Sequence, residues 1–215
     1  MHLKRQKVPK SWPIERKSTT YVVRPNFNLQ RGIPILIILR DILKIAQNRK
    51  EVKKAIHSKN ILLNNKIVRD EKNIALLFDV LKIVPSKKYY TIELSNKNKF
   101  MIKEIKEKES NKKVSKIINK KILKKKKTQL NLSDGRNFLS DIKCNVNDSV
   151  LINFEKGKIE KCLPLKEKKK VIIFGGKHSG RGGVINKIDL KNKMIKLDID
   201  KKIIDVLIKK VMVVE

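Results

Sequence analysis

The sequence predicts an α+β chain that is mostly β, with a unit of two helices and a hairpin near the N-terminus and short strands from there to the end. Three observations predict it. Apolar residues recur at helical spacing between Gly32 and about Ile56, the period shortens towards strand after Lys59, and from Val150 onward short apolar runs are punctuated by Gly, Asn, Asp and Lys.

Residues 1–31 combine dense Lys and Arg with Pro9, Pro13 and Pro25 and show neither period, which predicts a basic extension that orders on its partner and is mobile without it. Trp12, the one tryptophan, argues against a solvated tail, because an exposed indole is costly unless it packs on something. From Gly32 the pattern changes. Pro34 suits a first helical turn, and Ile35, Leu36, Leu39, Ile42, Leu43 and Ala46 form one stripe, predicting a helix to about Ala46. Asn48 with Glu51 three residues on has the form of a capping box, and Val52, Ala55 and Ile56 give a second, short helix its buried face. Ile61-Leu62-Leu63, the turn pair Asn64-Asn65 and Ile67-Val68 predict a hairpin. Residues 78–84 predict a strand stopped by Pro85, and residues 89–105 a second hairpin turning through residues 95–98. Residues 112–127 are ambiguous. Val114, Ile117, Ile118, Ile122 and Leu123 can line one helix face, to which periodicity leans, while β-branched residues equally suit a strand. Asp134-Gly135 marks a tight turn, and the runs from Val150 onward read as a small β-barrel.

The 215 residues carry 54 Lys+Arg against 21 Asp+Glu, a net charge of +33, and self-repulsion on that scale points to a polyanionic partner. Of RNA, DNA and anionic membrane, membrane insertion is the weakest reading, because the longest apolar run, residues 33–39, is far below the roughly 20 residues a span needs. No apolar leader pattern follows the basic N-terminus, which places the protein in the cytoplasm. Sparse aromatics, 5%, argue against a surface of stacking rings for single strands. Cys144 and Cys162 are too few for a zinc module, and His2, His57 and His178 have no catalytic partner at a suggestive spacing, so no metal, cofactor, small-molecule substrate or catalysis is expected.

Two stretches carry function. Around the predicted helices, Arg40, Lys44, Arg49, Lys50, Lys53, Lys54 and Lys59 fall largely off the apolar stripe, leaving a cationic face suited to duplex or junction phosphates. Between two later strands lies GGKHSGRGGVI, where Gly175, Gly176 and Gly180 let backbone approach a phosphate and Lys177, His178 and Arg181 supply charge and hydrogen bonds. It is not a Walker loop, since Gly180 is followed by Arg181 and a strand-like run.

Four stretches in one order, HLKRQKVPKSWPIERK, PILIILRDIL, QLNLSDGRN and GGKHSGRGGVI, resemble the archaeal and eukaryotic ribosomal protein family usually called S-four-e, in archaeal-like wording and over essentially the whole chain. After the basic extension (1–31), the resemblance implies three parts: an S-four-like RNA-binding module (32–86), a central β domain (87–167) and a C-terminal KOW-type, SH3-like barrel (168–215). It also implies that residues 114–123 are strand. Members bind small-subunit rRNA, so the expected RNA-contacting residues add Lys4, Arg5, Lys7, Lys10, Trp12, Arg16, Lys17 and Arg24 in the extension and Lys66 and Arg69 in the hairpin to the helical and glycine-loop sets. Expected partners are small-subunit rRNA and neighbouring small-subunit ribosomal proteins, without homo-oligomerisation. Two alternatives stay open, an RNA-modifying enzyme carrying an S-four-type appendage and a KOW-type transcription or translation factor. The Lys, Ile and Asn enrichment also fits an AT-rich genome, which would make part of the charge background.

Overall fold

A computed structural model describes residues 2–123, 127–140, 142–200 and 202–214. The chain forms two compact units, Met1–Asn111 and Lys112–Glu215. Among the described residues it is mostly β, with two short helices.

In the first unit β1 (Leu3–Lys4) pairs antiparallel with β2 (Tyr21–Val22). The expectation of a segment that orders only on a partner is corrected here. Trp12 is 3% exposed and its indole N–H donates to the Gly32 carbonyl at 2.9 Å, so the segment packs on its own chain. Strands of two residues are too short to leave a period in the sequence, which is why they were missed.

Next come β3 (Gly32–Pro34), α1 (Ile35–Ile37), α2 (Arg49–His57), β4 (Ile61–Leu63), β5 (Lys66–Ile67), β6 (Ile74–Leu76), β7 (Val80–Ile83), β8 (Lys88–Leu94) and β9 (Phe100–Ile105). The first helix is shorter than expected. Pro34 is extended and ends β3, which pairs with β6, and α1 passes into one wide turn, Ile38–Ile42, closed by Leu43 N–H donating to Ile38 O. Lys44 then adopts φ 53°, which ends the helical path before Ala46. The capping box is also modified. The Asn48 side chain makes no cap; instead Glu51 Oε2 accepts the Gln47 backbone N–H at 2.7 Å.

Strands β5-β4-β7-β8-β9 form an antiparallel sheet in that order. Its tight turn is Asn64-Asn65, with φ 52° and 62°, the geometry that Asn tolerates and a two-residue hairpin requires. Asn64 is locked from below: its Nδ2 donates to Asp79 Oδ1 at 2.8 Å and its Oδ1 accepts Val80 N–H at 2.9 Å. The core beneath gathers Trp12, Ile33, Ile35 to Leu39, Val52, Ile56, Leu81 and Ile92.

The second unit holds β10 (Lys112–Ile122), β11 (Thr128–Leu132), β12 (Asn137–Leu139), β13 (Ser149–Asn153) and β14 (Lys158–Leu163), joined in the order β12-β11-β10-β13-β14. Residues 112–122 are therefore strand, against the lean of periodicity; pairing on both sides, with β11 and β13, overrides it. The lysine run 124–127 lies outside the described residues except for Lys127. Gly135, φ 84°, turns β11 into β12 as expected.

The chain continues through β15 (Lys170–Ile173), β16 (Gly182–Asp189), β17 (Met194–Ile199), β18 (Lys202–Leu207) and β19 (Val211–Val213), ordered β18-β17-β16-β15-β19. The runs from Val150 onward do not all join one barrel, because β13 and β14 belong to the preceding sheet. Gly183 is fixed by close approach, since a Cβ there would stand 2.6 Å from the Asp198 carbonyl oxygen.

Candidate nucleic-acid interface

On α2, Val52 and Ile56 are buried one turn apart, which forces Lys50, Lys53, Lys54 and His57 onto the opposite face at spacings of three and four. All four are exposed. Arg49 Nη2 meets the buried Glu71 carboxylate at 2.5 Å and Lys53 lies 3.9 Å from it, so part of the Arg49 charge anchors the helix to the following loop. Arg40 pairs with its neighbour Asp41 at 2.9 Å. Lys44, Lys66 and Arg69 are exposed, Lys66 on the edge strand β5.

The N-terminal set divides. Lys4, Lys7, Lys10, Arg16, Lys17 and Arg24 are exposed. Arg5 spends its guanidinium on its own chain, donating to Thr19 O at 2.6 Å, Glu15 O at 2.5 Å and Thr19 Oγ1 at 2.9 Å. Trp12 is corrected from an RNA contact to a core residue, because the Gly32 carbonyl takes its N–H and its ring is enclosed.

In the glycine loop, Ser179 N–H donates to Gly176 O, Gly180 N–H to Ile173 O and Arg181 N–H to His178 O. Those amides are therefore consumed inside the turn, and Gly180, which is buried, shapes the loop instead of meeting a phosphate. Gly176, φ 95°, and Lys177 are exposed, as is Arg181, while Gly175 and His178 are half-buried.

Lys210 was not selected from sequence. Antiparallel pairing of Ile173 with Val211 carries it alongside, Phe174 N–H donates to its carbonyl at 3.0 Å, and a Cβ on Gly176 would sit 3.3 Å from its Nζ. Nothing local in the sequence signals this, because the partner strand is the last one.

Among the described residues no three His, Cys, Asp or Glu side chains gather as a metal site, and no helix is long and apolar enough to cross a membrane.

A model of "Ribosomal family S4e" matches residues 86–159, and one of the "RS4NT (NUC023) domain" matches residues 1–27. Small ribosomal subunit protein eS4 of Methanothermobacter thermautotrophicus is 34% identical over 88% of this chain and 79% of its own length. The chain belongs to the S4e family of ribosomal proteins. The S4e protein of Nanoarchaeum equitans, also named small ribosomal subunit protein eS4, is 36% identical over 87% of this chain and 82% of its own. In fold, the chain is similar to the crystal structure of the 30S ribosomal protein S4e from Thermoplasma acidophilum, with a TM-score of 0.73 at 22% identity, covering 86% of this chain and 95% of that one. Both the N-terminal segment and the QLNLSDGRN stretch that carried the sequence resemblance fall inside matched S4e regions.

Proposed function

We propose that this chain is a structural, non-enzymatic constituent of the small ribosomal subunit, binding its rRNA and supporting subunit assembly and translation in the cytoplasm. The observation that carries the reading is the α2 stripe of Lys50, Lys53 and Lys54, exposed side by side with Glu51, which caps the helix start, and Glu71 as the nearby carboxylates, on a member of a ribosomal family. Such a face meets A-form RNA by charge and shape. The finer layout follows the family: an S-four-like module within 32–86, a central β domain within 87–167 and a KOW-type barrel at 168–215, supported by the pairing of the first and last C-terminal strands, β15 and β19.

The proposed contacts are Lys4, Lys7, Lys10, Arg16, Lys17 and Arg24; Arg40, Lys44, Arg49, Lys50, Lys53 and Lys54; Lys66 and Arg69; and Gly175, Gly176, Lys177, His178 and Arg181. Lys210 joins the last group. Partners are rRNA and neighbouring small-subunit proteins.

Fractionation tests this directly. The protein is expected to stay with small subunits after a high-salt wash; release with the wash and co-purification with RNA polymerase would favour a transcription factor instead.

A further inference from the structure

The geometry points to the outer face of β10, β11 and β12 as a surface that reads the minor groove of A-form RNA through a row of carboxamides. The inference rests on the RNA-binding reading above but assigns a face that holds none of its cationic residues.

Residues paired across neighbouring strands share a face. Asn119 pairs with Asn131, and Asn131 with Asn137, so three asparagines stand in one line across three strands. Strand spacing makes that line about 10 Å long. The next line holds Lys121, Gln129 and Leu139 by the same pairings. Leu130 and Leu132, which flank Asn131, are buried on the other face, and this turns the asparagines outward. Asn119 and Asn137 are exposed and Asn131 is half-buried. Gln129 Nε2 donates to Asn131 Oδ1 at 2.8 Å, which fixes the orientation of both amides.

Each carboxamide offers donors and an acceptor without charge. Phosphates are better met by cations. The wide, shallow minor groove of A-form RNA presents 2′-hydroxyls and base edges, groups that both donate and accept. A row of amides, with Gln129 and Asn131 fixed by their mutual bond, matches that pattern, with Lys121 beside it to reach a phosphate.

The surroundings favour a polyanion over a protein. Among the described residues from 112 to 147 the one carboxylate is Asp134, and it is turned inward onto Lys113 at 3.0 Å. The two lines contain a single apolar side chain, Leu139, whereas protein interfaces are built around an apolar centre.

The test uses the full chain with two probes of one sequence, an RNA duplex and its 2′-fluoro counterpart, which stays A-form but lacks the hydroxyl donor. The wild type is expected to bind the hydroxyl duplex about tenfold more tightly. N119A/N131A/N137A is expected to bind both equally, with the same salt dependence, because no charge is removed. Should the triple variant fail to melt like the wild type, Asn137→Ala on the edge strand alone is expected to cut the discrimination about two- to threefold. Wild-type binding that is salt-dependent yet indifferent to the hydroxyl overturns this assignment alone. Discrimination that survives in the variants overturns it too and leaves the face to a protein neighbour. Absence of binding to any RNA, the small-subunit rRNA included, overturns the functional reading with it.

Discussion

On α2 of the first unit, Lys50, Lys53 and Lys54 stand in solvent, while on β10 of the second unit Lys113 and Lys116 are each 3% exposed. Lys113 Nζ meets Asp134 at 3.0 Å. Lys116 Nζ donates to the carbonyls of Ile208 and Val211, tying β10 to the last strand of the same unit. The same residue type serves as surface charge in one place and as internal bracing in the other. A net charge of +33 therefore overstates the cations available to RNA, and the difference is set by pairing: α2 has one free face, whereas β10 is flanked on both sides by β11 and β13.

The comparison breaks most visibly at Asp134. Asp134→Ala removes the carboxylate that Lys113 Nζ meets at 3.0 Å and is expected to cost about 1.5–3 kcal/mol, read as a lower denaturation midpoint of the second unit. A cost near zero would mean that Lys113 escapes to solvent. Lys116→Met keeps the volume but abandons two carbonyls, with an expected cost of about 2 kcal/mol by denaturant titration.

A pH series sharpens the contrast further. Burial pushes the Lys116 amine down to about 8 from 10.5. Between those values the unfolded chain holds a proton that the folded chain lacks, so this group makes stability rise with pH across that window. The neutral amine keeps two N–H donors for its two carbonyls. Burial, together with Cys144 and Asp148, pushes the Cys162 thiol up to about 12, which works in the opposite direction above its ordinary 9. The difference between wild type and Lys116→Met isolates the lysine: the wild type should gain on the variant from pH 8 to 10, and parallel curves would refute the burial effect. The smallest stability effect belongs to α2, where K50Q/K53Q/K54Q should change the unfolding free energy by no more than about 0.5 kcal/mol.

How far the sequence reached follows the same division. α2 was legible because Val52 and Ile56 recur at the helical period and nothing else competes for them. The Asn64-Asn65 and Asp134-Gly135 turns were legible because their residue types tolerate the positive φ that both turns show. The bracing role of Lys116 was not legible, since its acceptors lie on the last turn and strand of the chain. Strand β10 was misleading because Val and Ile in close succession satisfy both periods, and only its neighbours decide. For the candidate interface, the exposed cations of α2 and the hairpin could be read directly, whereas Trp12 and Arg5 turned inward on partners that no spacing predicts. Lys210 reaches the glycine loop through strand pairing alone.

The most direct test of the account is the slope of log K against log salt for the full chain on small-subunit rRNA, measured for the wild type and K50Q/K53Q/K54Q. Each phosphate contact contributes about 0.7–0.9 to the slope. The account predicts a steep wild-type slope that the variant flattens by about 2 to 3. A flat wild-type slope, or one that the variant leaves unchanged, would contradict it.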